Sequence, residues 1–140
     1  FIGFLNISRK MAAGDGAGSS YANISAIMAM TLVVMMALGI SIEWAVTEAS
    51  DATEGTSLML HSAALETSFS LAGGLLMVLL GIGIILEKNF HIIIGGLAVI
   101  AGAGFLLGNV AALDVAGFAG WIGMMLVALA LGVQTLRSKS

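Results

Sequence analysis

The side chains able to do chemistry are few, and almost all of them sit at the ends of long apolar runs. Glu43, His61, Glu66 and Asp114 are carboxylates and an imidazole of the kind that binds a hard or borderline metal. His61 and Glu66 are five apart, however, so on one helix they diverge rather than share a face. These groups read as a solvated rim, and no metal ligand is assigned. Met28, Met30, Met35 and Met36 crowd one run. Thioethers bind copper(I), but flexible methionine also fills the gaps between uneven helix surfaces, which is the reading taken here. His61 and His91 fall at opposite ends of the apolar segments, so they do not match the two ligands of a bis-histidine haem. Lys88 stands in a turn, away from the helix depth a retinal Schiff base needs. There is no cysteine, and no serine, histidine and acid are read as a nucleophilic set. No catalytic residue, cofactor or metal site is therefore expected, and the chain reads as no enzyme.

Composition explains why the chemistry is so sparse. Of 140 residues, 59% are hydrophobic and 9% charged, against roughly 25% charged in a soluble domain. So few charges cannot cover a water-facing surface, and lipid is the surrounding that fits. The net charge of −3 is small and scattered, which argues against nucleic acid. The lack of proline suits long unbroken helices.

Four apolar runs, at about 24–46, 67–86, 90–108 and 117–136, are long enough to cross a bilayer core of roughly 30 Å. They lack the period-2 alternation of barrel strands. The fold class is thus all-α, an integral membrane bundle of four transmembrane helices over residues 21–140, preceded by an N-terminal segment over 1–20. In that segment Phe1, Ile2, Phe4, Leu5 and Ile7 precede Arg9 and Lys10. Two readings stay open there, a short interfacial helix and a frayed terminus. Residues 11–20 form a glycine-rich flexible linker. Residues 47–62 form a polar connection, although the second helix has room to begin near Ser57. Glu87-Lys88-Asn89 is a tight turn. Gly108-Asn109 is a helix stop, and the turn after it centres on Asp114.

Arg9, Lys10, Lys88, Arg137 and Lys139 all fall on one side of a four-span chain. The positive-inside rule makes that side cytoplasmic, with both termini there. The acids Glu43, Glu48, Asp51, Glu54, Glu66 and Asp114 fall at the other end. Trp44 and Trp121 are expected at that outer boundary as interfacial anchors. Asn6-Ile7-Ser8 and Asn23-Ile24-Ser25 match the glycosylation pattern and are read as chance occurrences.

Glycine is the strongest remaining signal, with 19 residues. Gly104 and Gly108 are four apart, as are Ala116 and Gly120. Such small-residue stripes let helix backbones approach closely in lipid, so these four are the expected helix-packing positions. Residues 73–83 and 95–104 read as a loose glycine repeat. A proton-carrying ring subunit also needs a carboxylate near the bilayer centre, and the middles of all four runs carry no ionisable group. The same lack weighs against coupled transport.

The expected function is a non-catalytic structural or accessory subunit of a larger membrane complex, of respiratory, photosynthetic or monooxygenase type. The expected partners are membrane lipids and other membrane subunits or copies of this chain. A self-assembling membrane protein, such as a viral envelope or vesicle component, is the second reading. A small transporter or channel is the third.

Overall fold

The structure, a computed structural model, describes residues 1–110 and 113–137, the side chains of 109 and 110 excepted. Its helices are α1 (Ile2–Ala12), α2 (Ser19–Thr47), α3 (Ala52–Glu87), α4 (Ile92–Val110) and α5 (Asp114–Arg137). Helices α2, α3 and α5 are long and apolar enough to cross a membrane, and α4 is a shorter apolar helix. The chain therefore has the make-up of a multi-pass, four-helix membrane bundle with one additional short helix.

Consecutive helices pack antiparallel, α2 on α3, α3 on α4 and α4 on α5. The register can be read from the glycines. On α2 and α3, Gly39 faces Leu65 and Ala22 faces Gly83. On α3 and α4, Gly74 faces Gly102 and Leu106, while Gly81 faces Gly95 and Val99. The core is built from Leu76, Met77, Leu80 and Ile84 of α3, with Leu32, Ala98, Val127 and Leu131 from its neighbours. Each of these contributes by leaving lipid for close contact, so packing rather than hydrophobic transfer selects the small and branched shapes.

Helix α3 is the longest, at 36 residues, or about 54 Å at the standard rise. It starts at Ala52, well before the expected span, because Asp51 caps it. The Asp51 carboxylate accepts the N–H groups of Thr53 (2.8 Å) and Glu54 (2.9 Å). These are donors that a helix start otherwise leaves unpaired. The polar connection expected over 47–62 is thus mostly helix. At its other end α3 stops on Lys88, which adopts the left-handed conformation at φ 55° and returns its N–H to the Ile84 carbonyl. Helix α5 likewise starts earlier than expected, at Asp114, where an acid favours a helix N-terminus. The turn expected over 109–116 lies in part outside the described residues, as does Lys139.

Helix α1 does form. It stands along the bundle. The Phe1 ring meets Phe69 edge-on at 5.4 Å, and Met11, buried, lies against Gly83. Phe4, Ser8 and Met11 form one stripe at helical spacing, and all three are buried. That stripe meets Ala22, Ser25 and Ala29 of α2, whose small side chains allow close approach. Helix α1 thereby fills the space between α2 and α5, with Phe4 and Ile7 beside Ala128 and Leu131.

Candidate functional site

The glycine stripe expected on the third span faces the fourth. A Cβ at Gly104 would lie 3.1 Å from the Ala116 carbonyl oxygen, and one at Gly120 would lie 2.7 Å from that of Ala101. Gly108 sits directly on Gly117. Gly104, Gly108, Ala116 and Gly120 therefore belong to one contact between α4 and α5. A second contact of the same kind joins α3 to α4, where Gly74 and Gly102 meet, and Gly81 and Gly95 meet.

Beyond these contacts the first hairpin continues alone. The first buried position of α3 is Ser70, and no residue from 52 to 69 is buried. Helix α4 reaches outward along α3 only to about this level, since Phe105 packs at Gly73 and Leu106 at Gly74. Residues 52–66 of α3 therefore extend about 22 Å past the rim of the other helices, accompanied by the end of α2. The overhang carries Glu43, Glu48, Asp51, Glu54 and Glu66 and no lysine or arginine. It also exposes Ile40, Trp44, Met59 and Leu60, the last three at 67%, 61% and 69%. Its tip is ordered by local bonds. Glu54 accepts the N–H (2.9 Å) and hydroxyl (2.6 Å) of Ser50, and these bonds hold its carboxyl below the ordinary value of 4.5. His61 donates from Nδ1 to the Ser57 carbonyl at 2.7 Å, leaving Nε2 as its one free ring nitrogen.

The two tryptophans do not share a level. Trp44 lies on the overhang, where its indole N–H donates to Glu48 at 3.0 Å. Trp121 sits beside Gly120, level with Ala101 to Phe105 of α4 and hence with Gly74 of α3. Carried through the packing register, that is about 20 Å inward of Trp44. This separation along the bundle follows from the packing register, which hydropathy alone does not encode. Among the described residues, no three His, Asp or Glu side chains converge in a way that could hold a metal ion.

The end of the bundle opposite the overhang contains contacts that sequence reasoning missed. Gly18, at the start of α2, donates its N–H to Glu87 at 2.8 Å, and Gly16 packs on the same carboxylate. The expected flexible linker is thus pinned at its far end, by an anion placed at a helix N-terminus. His91 precedes α4, where its Nδ1 accepts the Ile93 N–H at 3.3 Å. Its own N–H donates to the Gln134 side-chain oxygen at 3.4 Å, tying the start of α4 to the end of α5. The spacing of Glu87 from Gly16 and Gly18 gave no sequence signal. Both glycosylation-pattern serines were visible, but for another reason. Ser8 and Ser25 are fully buried and share a hydrogen bond at 2.9 Å.

Comparison with known proteins yields no match: no family model fits the chain, and no curated protein or solved structure is similar to it.

Proposed function

We infer that this chain is a non-catalytic structural or accessory subunit of a larger membrane assembly, of respiratory, photosynthetic or monooxygenase type. The observation that carries this reading is the overhanging α2–α3 hairpin. Ile40, Trp44, Met59 and Leu60 are exposed there, past the rim of the bundle. Large apolar side chains exposed together mark a contact surface, and aromatic and methionine residues are favoured in such contacts. The inner end of the chain collects Arg9, Lys10, Lys88 and Arg137, while the overhang is wholly acidic. This supports an orientation with both termini cytoplasmic and the hairpin outside. The glycine contacts hold the four helices as a rigid platform for the hairpin.

The second reading, a self-assembling membrane protein, uses the same hairpin with another copy as the partner. A photo-crosslinking residue at Leu60, in native membranes, separates the two. Crosslinks to a different polypeptide, with a fixed set of subunits in mild detergent, are the expected result. Crosslinks confined to copies of this chain favour self-assembly. A hairpin that crosslinks to nothing removes the observation on which the subunit reading stands.

A further inference from the structure

Where α1, the α3–α4 turn and the last turns of α5 meet, they enclose a cleft of about 490 Å³ at the inner end of the bundle. Its polar lining is Asn6, Lys10, Asn89, Gln134 and Thr135, and Ile7 and Phe90 contribute apolar wall. We propose that this cleft binds the phosphate of an anionic lipid headgroup, with Lys10 as its cation and the amides of Gln134 and Asn89 as neutral donors.

Four observations lead there. Among the described residues, the lining contains no carboxylate. Glu87, the acid nearest in sequence to Asn89, is engaged with Gly18 on the other side. Gln134 has its side-chain oxygen occupied by the His91 N–H, so its amide nitrogen is the group left to donate. Lys10 lies on the exposed side of α1, opposite the buried stripe of Phe4, Ser8 and Met11, and its aliphatic stem lets the ammonium reach the membrane surface.

The size and the mixed lining also fit. A volume of about 490 Å³ falls within the range of small-molecule sites. A phosphoglycerol group presents phosphate oxygens to the donors and its glycerol backbone to Ile7 and Phe90. Basic clefts between membrane helices at the headgroup level recognise lipids by this combination. Phosphate is the shared chemistry, and a soluble phosphate could supply it as well as a lipid could. The apolar wall favours the lipid.

The test uses the full chain, delipidated in detergent, with phosphatidylglycerol, phosphatidylcholine and inorganic phosphate as separate probes. Binding is read by native mass spectrometry and by thermal shift. Phosphatidylglycerol is expected to bind more tightly than phosphatidylcholine. Lys10→Gln should weaken it by about fivefold, the weight of one basic side chain near an anionic surface. Gln134→Glu, which places an acid in the cleft, should weaken it further. Arg9→Gln, outside the lining, should leave it nearly unchanged. Stabilisation by inorganic phosphate that depends on Lys10 would keep the phosphate site and assign it to a soluble source. Equal binding of the two lipids overturns the proposal, as does an equal loss from Arg9→Gln and Lys10→Gln. Circular dichroism of each variant identifies any loss that comes from misfolding.

Discussion

Ser8 on α1 and Ser25 on α2 share one hydrogen bond of 2.9 Å, with both side chains fully buried between the helices. Each hydroxyl satisfies the other, so removing one strands its partner in an apolar setting. A stranded buried polar group costs about 1–3 kcal/mol, while replacing both partners with apolar groups is close to neutral. Ser8→Ala and Ser25→Ala should each destabilise the bundle, and the double variant should cost less than their sum. Unfolding in mixed detergent, run as a double-mutant cycle, measures this. Strict additivity would mean that the two hydroxyls do not depend on each other.

Glycine positions should respond in opposite directions to one substitution. A Cβ at Gly120 would meet the Ala101 carbonyl oxygen at 2.7 Å and backbone atoms of α4, which cannot give way. Gly120→Ala should destabilise by about 1–3 kcal/mol through overpacking. Gly132 lies beside the crevice between α1 and α5, and a Cβ there meets nothing within 4 Å. Gly132→Ala should stabilise by about 1 kcal/mol through helix propensity alone. Thermal melting of the two variants in one detergent decides it, and a shared sign would discredit the close-approach geometry.

Lys88 holds the left-handed conformation at φ 55°. For a residue with a Cβ this costs about 1–2 kcal/mol, and glycine avoids that cost. Lys88→Gly should therefore raise the melting temperature. A fall would show that the lysine charge matters more to the fold than its backbone does.

Glu54 lies on the overhang, outside the spanning part of α3, and its carboxyl is held below 4.5 by the two bonds from Ser50. A group depressed in the folded state contributes stability above its ordinary pKa. That contribution is lost as pH falls through the lower folded value. Acidification past 4.5 should then loosen the hairpin tip, seen as a small loss of helical ellipticity. Glu54→Gln should remove that acid-side change and leave the spectrum at neutral pH almost as it was. An unaltered acid profile in the variant would assign the effect to another carboxylate.

The spanning runs were legible because an apolar stretch in lipid has one stable backbone solution, a helix. The start of α3 was half legible. Asp51 followed three residues later by Glu54 is a helix-start signature, but the serines and threonines of 47–62 dilute it into the pattern of a loop. Helix α1 was visible as apolar residues followed by Arg9 and Lys10. Its direction was not, because it depends on Ser8 meeting Ser25 and Met11 meeting Gly83. The level of Trp121 was hidden for the same reason. Its separation from Trp44 along the bundle follows only from the α4–α5 register. Gly104 and Gly108 were legible as a contact stripe without a partner, and their facing of Ala116 and Gly117 came from tertiary register.

The seating of α1 also has a consequence for biosynthesis. Its crevice is walled on one side by Ala128, Leu131 and Gly132 of α5 and on the other by Phe1, Phe4 and Ile7, which come far earlier in the sequence. The α2–α3 and α3–α4 pairs join neighbours in sequence and can form as each helix leaves the translocation machinery. Helix α1 cannot be enclosed until α5 has arrived. Contacts so distant in sequence are the slow ones to establish. Until then the Phe1–Phe4–Ile7 face waits against lipid, accessible to quality-control proteases and insertion chaperones. Truncation before α5 should leave this face permanently open, because α5 supplies the wall that closes the seat of α1.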